Sequence, residues 1–272
     1  MIHLVCGSLY LWGNISLYVV SYFHSIGGHD WLTPSTAIMI IPLGMVTQSA
    51  IGPIGASLQK KYDPRVIMGA GCTLMCSSFF ISSYVTSWWV FVFSYGVMFP
   101  LGVGIVYYTP MMCAWEWFPE RRGMVSGIIV AGYGFGSSIT GMISTKIVNP
   151  NNLQTSKNAA GIDIFPLEVA QKVPEMLRML SGFFMVLSVI GIVCITRNPE
   201  SVQKQKDSEE IALIDDPERE TNTVEAKPED DSITFWEGIK SKQFVQLSAL
   251  LYFGLFYGLF VASVFKIISS GP

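Results

Sequence analysis

The chain has 272 residues, of which 50% are hydrophobic and 14% charged, and its formal net charge is −3 at pH 7. The charged fraction is well below the roughly one quarter of an ordinary soluble domain, and the basic stripe of a nucleic-acid binder is absent, so DNA and RNA are excluded as expected partners. Twenty of the charged residues fall between Arg197 and Lys242, which leaves the rest of the sequence strongly apolar.

Seven apolar segments follow one another along the chain, and each approaches the roughly 20 residues that a helix needs to cross a bilayer core of about 30 Å. The first begins almost at Met1 and lacks the basic region and cleavage site of a signal peptide. The second contains Pro34, Pro42 and Pro53, where kinks are expected. The predicted spans are Ile2–Phe23, Thr33–Leu58, Arg65–Val85, Trp88–Ala114, Met124–Val148, Leu177–Thr196 and Phe244–Ile268.

Basic residues in the short connections predict the orientation of the spans in the membrane. The connections after the second and fourth spans contain Lys60, Lys61, Arg65, Arg121 and Arg122. The turns after the first and third spans contain no Lys or Arg, although the long loop before the sixth span weakens the bias with two lysines. We therefore expect the N-terminus and the charged tract to be cytoplasmic.

The acidic tract at 197–242 separates six closely spaced spans from the seventh. It is too polar to bury enough apolar surface to offset its ordering entropy, so we expect it to be largely disordered. Six helices, a polar linker and a further helix are the opening of a transporter made of two helical bundles. The prediction is an all-α polytopic membrane protein, with a six-helix bundle at 1–196, a cytoplasmic linker at 197–242 and the first helix of an incomplete second bundle at 243–272.

Two connections, at 55–65 and 117–123, combine aromatic, proline and basic residues. Aromatic rings at these positions would sit at the membrane interface, and arginines would snorkel or pair with helix C-terminal carbonyls. Positive-inside anchoring alone explains these residues as well as a functional role does. The residues concerned are Lys60, Lys61, Arg65, Trp117, Phe118, Pro119, Arg121, Arg122 and Gly123.

Three short motifs occur in order: Gly-Val-Gly-Ile-Val-Tyr at 102–107, Trp-Phe-Pro-Glu-Arg-Arg-Gly at 117–123 and Ala-Gly-Tyr-Gly-Phe-Gly at 131–136. Together they resemble the oxalate/formate antiporter family of the major facilitator superfamily, close to the monocarboxylate transporters. The resemblance implies that the connection after the second span takes part in gating. Two positions there depart from the family pattern: Lys60 stands where an acidic residue is usual, and Asp63 where glycine is usual.

The same resemblance places Tyr10, Gln48, Tyr107 and Tyr133 at a substrate cavity, and it implies a small carboxylate as substrate. A hydroxyl or amide within the membrane needs a partner, so each of these side chains should face a cavity or another helix. Taken alone, each is explained more readily by an interhelical hydrogen bond. By the same resemblance, the family's main cationic residues lie in helices beyond residue 272.

Other residues that could carry chemistry have simpler explanations. The glycines at 102–104 and 132–136 lie within spans, so close helix packing explains them better than a nucleotide-binding loop. His3 and His24 lie at the ends of the first span, where we expect them to anchor at the membrane interface. The alternative is a role in proton relay, which no other residue pattern supports. The five cysteines lack zinc-site spacing, and the acidic residues form no paired-carboxylate site. We therefore expect neither an enzyme nor a metal or cofactor site.

The expected function is transport of a small organic anion by alternating access, with the substrate and the lipid bilayer as partners. A missing C-terminal half is a further candidate partner. The alternative is a transport-inactive half protein, either a truncated product or an interaction partner of another membrane chain. A seven-helix receptor is disfavoured by the long acidic break before the last span.

Overall fold

The computed structural model describes residues 1–59, 61–158 and 161–203, together with 207, 240–242, 245–246 and 249–250. The chain divides into two units, Met1–Ala212 and Leu213–Pro272, and the helices and strands with defined bounds belong to the first. The predicted linker and seventh span fall mostly outside the described residues, so both stay predictions.

Six helices in the described part of the chain are long and apolar enough to cross a membrane, which confirms the predicted helical bundle. They are α1 (Ile2–Ser25), α2 (Pro34–Leu58), α3 (Pro64–Ser82), α4 (Trp88–Trp117), α5 (Pro119–Val148) and α6 (Leu167–Cys194). The connection between α5 and α6 contains a short antiparallel pair, β1 (Ser156–Lys157) and β2 (Asp163–Ile164), which the all-α prediction did not include.

Regular α-helix is interrupted within α1 and α2. The segments are Ile2–Gly7, a 3₁₀ turn at Ser8–Leu11 and Trp12–Ser25 in α1, then Pro34–Ala37 and Ile40–Leu58 in α2. Pro34 starts α2 at a position where proline does not disturb helical bonding. Pro42 lacks the N–H that would reach the Ile38 carbonyl, and Ile41 donates to that carbonyl instead at 3.2 Å. The break in α2 therefore falls one turn before Pro42.

The fourth span contains a π-helical turn. Its segments are Trp88–Phe93, the π turn Ser94–Met98, Phe99–Val106 and Thr109–Trp117. Pro100 follows the π turn closely and has no N–H to offer the carbonyl of Gly96, four residues earlier. A widened turn at this point accommodates the missing hydrogen bond.

The sixth span begins well before the predicted start at Leu177. The segments of the last two spans are Pro119–Arg121 and Arg122–Val148 in α5, then Leu167–Ala170 and Val173–Cys194 in α6. Pro174 and Glu175 interrupt the apolar run, which is why the prediction began later. They suit the first turn of a helix, because proline is preorganised there and a carboxylate is favourable beside the N-terminal dipole.

The first and fifth spans touch backbone to backbone. A Cβ atom at Gly7 of α1 would overlap the main-chain carbonyl of Tyr133, and one at Gly136 of α5 would overlap that of Leu4. No side chain larger than hydrogen fits between the helices at these two positions. Small residues of this kind allow close approach of membrane helices, and here they fix α1 against α5.

The fourth span approaches α2 and α3 through the glycines predicted to serve close packing. A Cβ at Gly104 would lie 2.9 Å from the Gln48 carbonyl of α2, and one at Gly102 would lie 2.7 Å from the Gly71 carbonyl of α3. Gly134 of α5, by contrast, has no such neighbour within 4 Å. The packing interpretation therefore holds for the α4 glycines and for one end of the α5 motif, but not for Gly134.

Candidate substrate site

The four residues predicted to line a cavity lie together in the structure. Tyr10 stands on the 3₁₀ turn of α1, Gln48 on α2, Tyr107 on α4 and Tyr133 on α5. The ring of Tyr133 lies 5.8 Å from that of Tyr10 and 5.5 Å from that of Tyr107, edge to face in both cases. The Tyr133 hydroxyl donates to Oε1 of Gln48 at 3.2 Å. We call these four side chains the tyrosine cluster.

The tyrosine cluster is partly open and offers several hydrogen-bond donors. Tyr10 is 42% exposed, and the other three members are half-buried. Tyr133 donates to the carbonyl oxygen of Gln48, so the amide NH₂ of Gln48 can donate to a ligand. The hydroxyls of Tyr10 and Tyr107 can donate as well. Neutral donors beside apolar ring faces are suited to a small polar or anionic group.

Two backbone contacts set the positions of these side chains. The glycine contact between α1 and α5 includes the carbonyl of Tyr133 itself, and the contact between α2 and α4 at Gly104 includes the carbonyl of Gln48. The main-chain atoms of Tyr133 and Gln48 are themselves part of these close contacts, which therefore fix the positions from which the two side chains extend. The cluster geometry follows from how closely four helices approach one another.

His3 packs against the tyrosine cluster, which corrects the expectation that it anchors at the membrane interface. Its side chain is buried, and its ring centroid lies 5.1 Å from Tyr107 and 6.3 Å from Tyr133. α4 and α5 cover the first turns of α1, so His3 does not reach the surface. His3 and Tyr10 are seven residues apart, a spacing that puts both on one helix face, and this spacing is the signal that the sequence offered.

Two residues of the predicted loop motifs meet at the end of α6. The Nε of Arg65 donates to the carbonyl of Ile195 at 3.1 Å, and the indole N–H of Trp117 donates to the carbonyl of Thr196 at 2.9 Å. Carbonyls at the C-terminal end of a helix lack intrahelical partners. Arg65 and Trp117 thus bind the chain where it leaves α6.

An ion pair that sequence reasoning missed lies beside these contacts. Nη2 of Arg197 lies 2.8 Å from Oε1 of Glu116, and the main-chain N–H of Asn198 donates to the other carboxylate oxygen at 3.2 Å. The hydrogen bond to Glu116 raises the pKa of Arg197 above its usual value, against a smaller opposing effect of burial. Glu116 and Arg197 are far apart in the sequence, and no local pattern connects them.

The other described residues of the two predicted loop motifs take no part in these hydrogen bonds to the chain after α6. Lys61, Phe118, Pro119, Arg121 and Arg122 are exposed, and Gly123 has no packing neighbour within 4 Å. Lys60 lies outside the described residues.

Asp63 stands where the resembling family usually has glycine, and its side chain has a structural role at this position. Its Oδ1 accepts the main-chain N–H of Arg65 at 2.7 Å, so Asp63 caps the N-terminus of α3. A glycine at this position would have no side-chain acceptor for that N–H.

The described part of the chain contains no group of three or more His, Cys, Asp or Glu side chains that could hold a metal ion. The tyrosine cluster itself offers three phenols and one amide, and His3 beside it offers an imidazole.

Comparison with known proteins supports the resemblance seen in the motifs. A family model described as Major Facilitator Superfamily matches residues 4–270. Apicoplast pyruvate carrier 1 of Toxoplasma gondii is 25% identical over 280 residues, which covers 84% of this chain and 51% of that carrier. The chain thus spans about half the length of this relative.

Two further relatives match shorter stretches. The oxalate:formate antiporter of Oxalobacter formigenes is 34% identical over 94 residues, covering 35% of this chain and 22% of the antiporter. Monocarboxylate transporter 13 of Rattus norvegicus is 26% identical over 98 residues, covering 36% of this chain and 23% of that transporter. The predicted resemblance is confirmed at low identity, and these relatives are carriers rather than enzymes, as expected.

Proposed function

Since the chain belongs to the Major Facilitator Superfamily, we propose that it takes part in carrying a small organic anion, a mono- or dicarboxylate, across a membrane by alternating access. The observation that carries this proposal is the tyrosine cluster, in which side chains from four helices meet at one place. A substrate site between helices is the expected place for binding in a carrier of this architecture.

The chemistry of the tyrosine cluster supports a carboxylate as the bound group. A carboxylate accepts several hydrogen bonds, and Gln48, Tyr10 and Tyr107 can donate them. The edge-to-face contacts also hold the rings of Tyr10 and Tyr107 against the ring of Tyr133. The names of the three relatives point to the same substrate class, since they refer to pyruvate, to oxalate and formate, and to monocarboxylates.

A cavity at the opposite end of α5 from Arg122 supports an anion path. This cavity of about 620 Å³ includes Asn14, Thr145 and Lys146 among its lining residues. Asn14 follows Tyr10 by four residues on α1, so the cavity and the tyrosine cluster share one side of that helix. Lys146 is exposed there, and its ammonium group would attract an anion toward the cluster.

The contacts at the end of α6 support a gating role for the loop motifs. Arg65 and Trp117 bind the two residues that follow α6, and Glu116 binds the next two. These hydrogen bonds therefore connect the segment after α6 with both the α2–α3 connection and the end of α4. Alternating access requires one end of the bundle to open while the other stays closed, and these contacts would move as one piece.

We place this end of the bundle in the cytoplasm. Met1, Trp117 and Thr196 line one cavity there, so the N-terminal residue and the basic connections lie on the same side. Lys61 and Arg122 are exposed at this end, where the positive-inside rule favours them. The β1–β2 hairpin would then lie outside.

Counterflow in liposomes tests the proposed function directly. The purified 272-residue chain is reconstituted in vesicles loaded with unlabelled pyruvate, oxalate or formate, and uptake of the labelled anion is followed. We expect transient accumulation of at least one of the three anions. Tyr107→Phe should weaken its apparent affinity by about tenfold, because a bound anion loses one hydrogen bond from the protein.

The matched control for that substitution is Tyr84→Phe, which removes a hydroxyl from an exposed tyrosine outside the tyrosine cluster. It should leave counterflow unchanged. Absence of counterflow from a correctly folded chain would refute transport by this chain alone and would support the alternative, a half protein that is inactive or needs another chain. Equal effects of the two substitutions would remove the cluster from the site.

A further inference from the structure

The imidazole of His3 is buried at the tyrosine cluster without a hydrogen-bond partner at one ring nitrogen. The side chain is 3% exposed, and Nε2 has no partner among the described residues. The ring packs at 5.1 Å against Tyr107 and at 6.3 Å against Tyr133. Buried polar atoms are nearly always hydrogen-bonded, so an unpaired one calls for a ligand or another explanation.

A cavity beside His3 provides room for such a ligand. It measures about 450 Å³ and lies between α1, α3, α4, α5 and α6, with His3, Pro110, Ile129 and Gly132 among its lining residues. His3 thus stands between this cavity and the phenols of the tyrosine cluster. A small molecule entering from the cavity would meet the imidazole as well as the cluster.

The groups around His3 that can titrate or carry charge come from each helix packed there. The cavity is lined by the thiols of Cys113 on α4 and Cys194 on α6 and by Met1 with its amino group. The phenols of α4 and α5 pack against the imidazole, and the phenol of Tyr10 and the thiol of Cys6, both on α1, lie beside those phenols. None of the residues described as lining the cavity is Asp, Glu, Lys or Arg. Glu116, three residues after Cys113, is already paired with Arg197.

These surroundings favour a neutral imidazole when the site is empty, because a charge buried without a partner is costly. A carboxylate brought next to Nε2 supplies the missing partner, and the imidazolium then forms a charge-assisted hydrogen bond with it. The anion and the proton stabilise each other at Nε2, where a proton without the anion would be a buried charge beside the Met1 amino group, with no acidic residue among those described as lining the cavity.

We propose that His3 is a further substrate-binding residue, which binds the carboxylate of the transported anion through Nε2 and takes up one proton with it. This inference rests on the proposed function and adds the coupling ion. The proton comes from water on the side to which the site is open and binds the imidazole as the anion arrives. When the anion leaves, the imidazolium releases the same proton, so charge and atoms balance over the cycle.

Calorimetry of the purified 272-residue chain in lipid nanodiscs tests the proposal. Pyruvate is titrated in two buffers of different ionisation enthalpy, and the difference in heat gives the number of protons taken up. We expect about one proton per pyruvate, and an affinity that falls by up to about tenfold per unit as pH rises from about 6 to 8. His3→Gln keeps a neutral donor but cannot take up a proton, so proton uptake should vanish and binding at about pH 6 should weaken by about tenfold.

The other two histidines provide matched controls. His24→Gln and His29→Gln carry the same substitution outside the tyrosine cluster, and both should retain proton uptake. Undiminished proton uptake with pH-dependent binding in His3→Gln would overturn this inference and leave the proposed function standing. Failure of the unsubstituted chain to bind pyruvate, oxalate or formate would overturn both.

A measurement on the unsubstituted chain covers the case in which His3→Gln does not fold. With ¹³C-labelled histidine, one of three imidazole signals should move to the position of a protonated ring when pyruvate is added. A titration in which all three signals stay unchanged while pyruvate binds would overturn the proposal.

Discussion

Tyrosine hydroxyls in the bundle differ in whether they have a partner. Tyr133 donates to Gln48 at 3.2 Å, whereas the hydroxyl of Tyr95 is buried without a partner among the described residues. Tyr95 is held by its ring, which stacks on Phe91 at 5.4 Å and packs against Trp12 at 5.3 Å. The hydroxyl therefore stabilises the fold at Tyr133 and destabilises it at Tyr95.

The two tyrosines should respond in opposite directions to loss of the hydroxyl. Tyr133→Phe leaves Oε1 of Gln48 without its donor and should lower the free energy of unfolding by about 1 kcal/mol. Tyr95→Phe removes an unsatisfied group and should change stability by zero to about 1 kcal/mol in the favourable direction. Thermal unfolding in detergent compares both with the unsubstituted chain. Equal destabilisation by the two substitutions would contradict this account.

Some residues of the candidate site could be predicted from the sequence and others could not, for identifiable reasons. Tyr107 and Tyr133 lie in motifs with a recognisable family pattern, so their neighbourhood could be predicted without the fold. His3 has no such motif, and its place near a span end suggested the interface until the packing of α4 and α5 over α1 was seen. Glu116 and Arg197 could not be paired at all, because their contact depends on how α4 and α6 end side by side.

At the scale of helices, close packing at glycine decides where α1 lies. Gly7 and Gly136 leave no room for a Cβ between α1 and α5. The motif around 131–136 predicted small-residue packing but could not identify which glycines take part, since that depends on the rotation of α5. The boundary of α6 was likewise missed, because Glu175 is unfavourable in an apolar run and favourable in a first helical turn.

A methyl group added at the α1–α5 contact should destabilise the bundle. Gly7→Ala forces the two backbones apart and should lower the free energy of unfolding by about 1–3 kcal/mol. Gly13→Ala, on the exposed side of the same helix, has open space around it and should not lower stability, because alanine favours a helix by up to about 1 kcal/mol over glycine. Unfolding in detergent with increasing denaturant measures both. A stability loss of similar size at both positions would show that the α1–α5 contact is not responsible, because alanine favours a helix more than glycine does.

At the scale of the whole molecule, the two ends of the bundle differ in character. One end has the basic connections and the contacts of Arg65 and Trp117 with the chain after α6. The other has the hairpin, which is attached to α1 through the N–H of Phe165 donating to Ser21 at 2.9 Å and through the stacking of Phe165 on Tyr18. Apolar length and basic residues predicted this layout, whereas the hairpin contacts depend on residues far apart in the sequence.

Cysteine labelling in intact cells should show which end faces the cytoplasm. On a background with Cys194→Ser, Lys157→Cys in the hairpin should react with an impermeant maleimide added outside. Arg122→Cys should react after the membrane is permeabilised. Both positions are exposed, so accessibility within the protein does not distinguish them. External labelling of Arg122→Cys with protection of Lys157→Cys would invert the proposed orientation.

The backbone contact between α1 and α5 has a consequence for the symmetry of binding. With no side chain between the helices at Gly7 and Gly136, one cannot tilt against the other without overlap. Tyr10 and Tyr133 therefore form a rigid pair, and in the proposed transport cycle a ligand arriving from either side of the membrane would find the same rings at the same separation. Any difference between inward and outward affinity would then arise from groups outside this pair, whose positions can change while the pair keeps its shape.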